Sequence, residues 1–170
     1  MISDEALMLD FQRGSRQAFE ELFARYREPL YGFFRRRLGS GEGADDLTQE
    51  TFLAVIRATA RYEPRAPVRT YLYGIAFKLL AAERRKRTRD QQTDAGPISS
   101  DGSDERLWVR QALDRLDASD REILMLREYE QLSYAEIAEL LRLPVNTVRS
   151  RVFRARMELK SVLEPAKGEA

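Results

Sequence analysis

Five side chains between residues 146 and 154 have the types and spacing to read double-stranded DNA: Asn146, Arg149, Ser150, Phe153 and Arg154. Asn, Ser and Arg hydrogen-bond base edges in the major groove, and a Phe ring meets a thymine methyl group. At about 100° per residue, Asn146, Ser150, Phe153, Arg154 and Met157 share one side of a helix. Thr147 and Arg149 flank that side, where they suit phosphates, which position a protein without carrying sequence information. Val148, Val152, Ala155 and Leu159 fall opposite and are expected to pack on neighbouring helices. From Arg142 to Lys160 there are six basic residues and one acidic residue. A solvated basic helix on an ordinary bundle would share that charge, but not the two elements in front of it.

Those elements read as capped helices. One is expected to open at Ser119 with Glu122 three residues on, the other at Ser133 with Glu136 three residues on. Both match the capping box, in which hydroxyl and carboxylate satisfy orphan backbone N–H groups. Ile137, Ala138, Leu140 and Leu141 give the second an apolar stripe, Leu143-Pro144 breaks it, and a third helix starts near Val145. A positioning helix, a tight turn and a basic helix make a helix-turn-helix.

A second constellation lies in PRAPVRTYLYGIAFKLLAAERRKRTR, from Pro64 to Arg89. Leu72, Ile75, Ala76, Leu79 and Ala82 form its expected core stripe, while Arg69, Tyr71, Tyr73 and Lys78 interleave rings with cations. Rings stack on unpaired bases, and cations neutralise the phosphates beside them. Helical aromatics are equally at home in a core, which is the other reading of Tyr71, Tyr73 and Phe77. The run Arg84-Arg85-Lys86-Arg87 favours nucleic acid.

A third group, Asp45, Asp46 and Glu50, stands at the head of an expected helix. Carboxylates there complement the helix macrodipole, or they form a docking surface for a basic or polar protein partner. A metal site is not expected, because helical di-metal centres use Glu-x-x-His pairs and the chain has no histidine. With no cysteine either, disulfides and the usual zinc sites are excluded.

The elements that must carry these groups are helical nearly throughout, and no stretch alternates as a strand. Helices are expected at about 3–12, 15–38, 43–61 and 68–89, with Gly39-Ser40-Gly41 stopping the second. Phe19, Leu22, Phe23, Tyr26, Leu30 and Phe33 make the inner stripe of the second; Leu47, Thr51, Val55 and Ala58 are in register on the third. Residues 91–104 are rich in Gly, Pro, Ser and Asp and read as a flexible linker. The C-terminal part opens on a helix carrying Leu107, Val109, Leu113 and Leu116. The expected fold is therefore all-α: a bundle over 1–90, a linker over 91–104, and a helix-turn-helix bundle over 105–170.

The net charge of the 170-residue chain is +1, which hides its distribution. Residues 1–90 sum to +4, and the bases cluster at 78–89 and 142–160, as a polyanion partner requires. The stretch MISDEALMLDFQRG is acidic and short in apolar run, so no signal peptide is expected, and nothing approaches a membrane span. A soluble, cytoplasmic protein without membrane insertion is the expectation.

Three segments in order carry a family resemblance. DDLTQETFLAVIRATARYEP resembles the part of bacterial sigma factors that docks on the RNA polymerase clamp. VRTYLYGIAFKLLAAERRKRTR is similar to the part that melts and reads the minus-ten promoter element, and LSYAEIAELLRLPVNTVRSRVFRARMEL to the helix-turn-helix that reads the minus-thirty-five element. The compact layout resembles the extracytoplasmic-function group. The resemblance implies a protein that binds core RNA polymerase and directs promoter-specific initiation, with an anti-sigma factor as a further partner, no cofactor and no catalytic residue.

Residue by residue, the resemblance puts Asp45, Asp46, Gln49, Glu50 and Phe52 on or beside the polymerase-binding helix. Arg65, Ala66, Pro67, Val68 and Arg69 would hold a flipped minus-ten base, with Tyr71 and Lys78 where the family often has tryptophan and asparagine, and Arg84 and Arg85 counted among the minus-ten DNA-binding residues. Asn146, Thr147, Arg149, Ser150, Phe153 and Arg154 would face duplex DNA. The competing readings are a stand-alone helix-turn-helix regulator, whose receiver domain would alternate strands and helices, and a nuclease or recombinase, which would need a metal cluster or histidine.

Overall fold

In the computed structural model, residues 1–90 and 104–164 are described. They belong to two compact units, Met1–Ile98 and Ser99–Ala170. Every regular element among the described residues is helical. The expected linker over 91–104 lies outside the described residues except for Asp104, which already begins a helix.

The first unit contains α1 (Asp4–Gln12), α2 (Arg16–Leu38), α3 (Gly41–Ala58) and α4 (Val68–Arg89), with a single 3-10 turn at Thr59–Arg61. Ser3, Ser15 and Ser40 cap the first three helices, each hydroxyl accepting from the backbone N–H three residues on. Gly39 takes the left-handed conformation (φ 72°) that ends α2, where a side chain would be strained. Pro29 stands inside α2 and removes one backbone donor. The helix runs through it because Tyr26, Leu30 and Phe33, on its inner face, are buried.

The core of this unit has two aromatic clusters. Phe33 meets Phe34, Tyr73 and Phe77 at centroid distances of 5.1, 5.4 and 5.1 Å. Phe52 of α3 meets Phe23 and Phe19 of α2 at 4.8 and 6.2 Å. Burial of each such ring contributes about 1.5–3 kcal/mol. Three threonines share this interior, and the hydroxyls of Thr48, Thr51 and Thr59 are satisfied by donating to the carbonyls of Ala44, Leu47 and Val55 at 2.7–2.8 Å. On α4 the inner stripe differs from the expected one. Leu72 and Ala76 are buried as expected, but Tyr73 and Leu80 complete the stripe, while Ala82 is exposed.

The second unit contains α5 (Asp104–Asp114), α6 (Ala118–Glu128), α7 (Tyr134–Leu141) and α8 (Val145–Leu163). Leu113, Leu116, Leu124 and Ala155 form a buried cluster with Val109 and Leu159 packed against it. Leu107, expected on that stripe, is 47 % exposed, and Ala112 is buried instead. Helix α6 opens two residues earlier than expected. Asp117, not Ser119, is its cap, the carboxylate accepting from Ser119 N at 3.1 Å. Ser133 caps α7 as expected, with Glu136 N at 3.1 Å. Arg142 closes α7 in the left-handed region (φ 56°), and Pro144 precedes α8.

Candidate nucleic-acid interface

Helix α8 is divided by its neighbours. Val148, Val152 and Ala155 are fully buried against α5, α6 and α7. The other side leaves Asn146, Arg149, Ser150, Phe153, Arg154 and Met157 exposed, with Thr147 half-buried at the edge. Phe153 is 67 % exposed, costly for a ring with no partner. Ser150 donates its hydroxyl to Asn146 O at 2.9 Å, which leaves its oxygen as an acceptor toward a ligand. Arg149 and Arg127 approach the Tyr134 ring from 5.8 and 4.8 Å, so Arg149 is held near the start of α8. No side chain caps α8, so its first N–H groups remain available to an anion.

Arg154 has a partner that sequence reasoning missed. Its Nε and Nη2 donate to the carboxylate of Asp120 at 3.2 and 2.7 Å. Asp120 is buried on α6, 34 positions away, and reads in the sequence as an ordinary first-turn acid. Its carboxylate and neighbouring charges hold the Arg154 guanidinium above its ordinary pKa. Two of the five guanidinium N–H donors are occupied, and the outer Nη edge stays available.

In the first unit, the start of α4 and the loop before it form an open pocket of about 460 Å³. Arg61, Tyr62, Glu63, Arg65 and Tyr71 line it. The Tyr62 and Tyr71 rings meet edge to face at 5.3 Å. Burial raises the pKa of both phenols above the usual value. Arg65 is highly exposed and pairs with Glu63. Pro67 is exposed at the head of α4, and Arg69 is half-buried beside it.

Not all the expected residues reach this pocket. Val68 is fully buried, so its side chain cannot touch a ligand, and its N–H donates to Glu5 Oε1 at 3.0 Å. Tyr73, read either way from sequence, is core. Lys78 is exposed two turns beyond Tyr71, and Arg84 and Arg85 are exposed roughly 20 Å along the axis from it, given 1.5 Å of rise per residue. They suit a strand running along α4, not the pocket. Tyr62 and Arg61 were missed, although an aromatic just before a proline-rich loop was visible.

The outer face of α3 carries the third group. Asp45, Asp46, Gln49 and Glu50 are exposed, and Gln49 donates to Asp45 at 3.3 Å. Because α3 begins at Gly41, these acids lie in the second turn and beyond, too far in to act mainly on the helix dipole. Phe52 is 4 % exposed in the aromatic cluster and cannot present its ring. Leu53 and Ile56, overlooked in the sequence, are 41 and 45 % exposed on the same outer side. Acids and amides followed by exposed aliphatics suit a protein partner better than a metal.

Comparison with known proteins gives two family matches: residues 22–90 match "Sigma-70 region 2" and residues 106–159 match "Sigma-70, region 4". The RNA polymerase sigma-H factor of Pseudomonas aeruginosa is 34 % identical over 187 residues, covering 98 % of this chain and 97 % of the relative. The ECF RNA polymerase sigma factor SigC of Mycobacterium tuberculosis is 34 % identical, covering 94 % and 91 %. Among solved structures, the sigma factor RpoE bound to the anti-sigma factor NepR, from Bartonella quintana, superposes with a TM-score of 0.70 at 25 % identity, covering 85 % of this chain and 96 % of that one. No helix among the described residues is long and apolar enough to cross a membrane.

Proposed function

The chain belongs to the sigma-70 family of RNA polymerase sigma factors, as an alternative factor of the extracytoplasmic-function kind that directs transcription initiation, and on that premise we propose how its two units divide the work. The second unit reads duplex DNA at the minus-thirty-five element through the outer face of α8. The first captures bases leaving the duplex at the minus-ten element, in the pocket below Tyr62 and Tyr71. The outer face of α3 docks on core polymerase.

The observation that carries this reading is the separation of surfaces by chemistry. A helix offering Asn146, Ser150, Phe153 and Arg154 suits base edges in a groove. An open pocket walled by two phenol rings, with Arg61 and Arg65 at its rim, suits a single unpaired base and its phosphate. Each unit alone meets few phosphates and binds weakly. Held on polymerase, one contact raises the effective concentration of the other. The protein supplies no bond-making step; the polymerase does. A stand-alone regulator is not favoured, since the first unit shows only helices among its described residues where a receiver domain alternates strand and helix.

An anti-sigma factor is a further partner in this reading, supported by the RpoE–NepR complex to which the chain is similar. A cytoplasmic location follows from the same partners. Runoff transcription with purified core polymerase on a genomic fragment library tests the whole: discrete transcripts that depend on this chain are expected. Failure to join core, or joining without starting RNA, would overturn it.

A further inference from the structure

The loop between α3 and α4 is anchored at both ends to one element, and that element is α1. At one end, Gln12 Nε2 donates to the carbonyls of Thr59 at 2.9 Å and Tyr62 at 3.0 Å, across 47 and 50 positions of chain. At the other end, Glu5 Oε1 accepts from Val68 N at 3.0 Å, across 63 positions. Helix α4 has no cap of its own, since Pro67 offers no side-chain acceptor; the carboxylate of Glu5 takes that place.

Local forces do not explain the loop's shape. Within it, Tyr62 N reaches Thr59 O and Arg65 N reaches Glu63 O, and Pro64 and Pro67 have no N–H to give. The Tyr62 hydroxyl is buried without a hydrogen-bond partner, an unfavourable arrangement that something else must hold. Burial, and after it the Glu5 charge, raises the Tyr62 phenol's pKa. Helix α1 is fixed in turn. Leu7 and Met8 are buried, and Asp4 holds Arg25 at 2.8 Å and accepts from the Tyr26 hydroxyl. One side of α1 is thus bolted to α2 while Glu5 and Gln12 grip the loop.

We infer that α1 is the brace of the base-capture loop, with Glu5 and Gln12 as positioning residues that set minus-ten discrimination without touching DNA. This rests on assigning the pocket at Tyr62 and Tyr71 to base capture. The two residues act on different ends: Glu5 fixes the head of α4, and so Arg69 and Tyr71; Gln12 fixes Tyr62, and so the other wall. A pocket whose walls shift against each other still admits a base but distinguishes bases less well, because selectivity depends on donors and rings held in place.

The test uses holoenzyme made from the full chain and core polymerase, on promoter DNA recovered by runoff transcription and on a copy changed at one minus-ten base. The measured quantity is the ratio of initiation on the two, with permanganate reactivity reporting strand opening. Glu5→Ala is expected to shrink the ratio on the order of fivefold, one ordinary hydrogen bond's worth, Gln12→Ala, which loses two, to shrink it further, and the double variant to bring it close to one. Glu5→Gln should restore the ratio, since an amide oxygen still accepts from Val68 N–H. Gln12→Glu should not, since a carboxylate cannot donate to two carbonyls. A destabilised but correctly shaped protein would lower initiation on both templates alike and leave the ratio intact; that result, measured below each variant's melting midpoint, overturns the brace. Tyr71→Ala is run in parallel. If Tyr71→Ala loses discrimination and the α1 variants keep it, the brace alone fails. If neither changes it, the base-capture assignment falls, and the brace with it.

Discussion

The buried carboxylate of Asp120 on α6 holds the exposed guanidinium of Arg154 on α8 by two hydrogen bonds, at 2.7 and 3.2 Å. The pair ties α6 to α8 and consumes the Nε edge of the arginine. What remains, the outer Nη edge, is the geometry a guanine needs for two-point contact. In the proposed reading Arg154 therefore has two roles at once, as a strut inside the unit and as a reader outside it.

Those roles separate experimentally. Arg154→Ala should weaken binding to the minus-thirty-five duplex, and it should also lower the melting temperature, because Asp120 is left buried without its partner. Asp120→Asn keeps a hydrogen-bonding side chain of the same shape, so it should largely keep the fold and affinity while relaxing base preference. Gel-shift competition with single-base variants of the element measures this for the holoenzyme. Equal loss of specific and scrambled DNA in Arg154→Ala would reduce the residue to a phosphate contact.

Tyr71→Ala should spare duplex binding and slow strand opening. One lost stacking platform is worth about 1–3 kcal/mol. Tyr71→Phe keeps the ring and its edge-to-face contact with Tyr62, so it should open DNA nearly as well. Permanganate footprinting reads both. Unchanged opening in Tyr71→Ala would remove this ring from the capture site.

Asp46→Arg should weaken association with core polymerase without destabilising the chain, since the residue is exposed on α3. Leu53→Asp tests the aliphatic part of the same face and should act in the same direction. Co-purification with core at graded salt distinguishes them. The Asp46 effect should fade as salt rises, because exposed charges are screened, whereas the Leu53 effect should persist. Normal co-purification of both variants would refute the docking face.

What the sequence showed and what it hid divide along contact range. Helix existence, the Ser133 cap, the turn at Pro144 and the buried face of α8 follow from spacings of three and four residues, which a helix converts directly into neighbours. Errors began where tertiary contact chose between local options. Asp117 outcompeted Ser119 as the α6 cap, although both are good capping residues two positions apart. Phe52 turned inward toward Phe19 and Phe23 of α2, four positions after Thr48 and three before Val55 on the buried side of α3, a spacing that the family resemblance overrode. Leu80 replaced Ala82 on the α4 stripe because a leucine gains more by burial than an alanine. The Asp120–Arg154 and Glu5–Val68 contacts span 34 and 63 positions and leave no local trace.

Alkaline pH should loosen the first unit, with the Tyr26 phenol as the leading group. Burial, then the hydrogen bond to Asp4, raises the pKa of the Tyr26 phenol well above its ordinary value of 10.0. A phenol held neutral in the folded chain but free to ionise in the unfolded one stabilises the fold fully below pH 10, and that contribution is lost as pH rises beyond it. Tyr62 and Tyr71, raised by burial, act in the same direction. Tyr26→Phe should therefore cost about 1–2 kcal/mol near neutral pH, from the lost bond to Asp4. It should also flatten the fall in stability above pH 10. Denaturant melts at pH 7, 9 and 10.5 measure both effects. A Tyr26→Phe protein that loses stability with the same alkaline slope as the parent would show that this phenol is not the group that titrates.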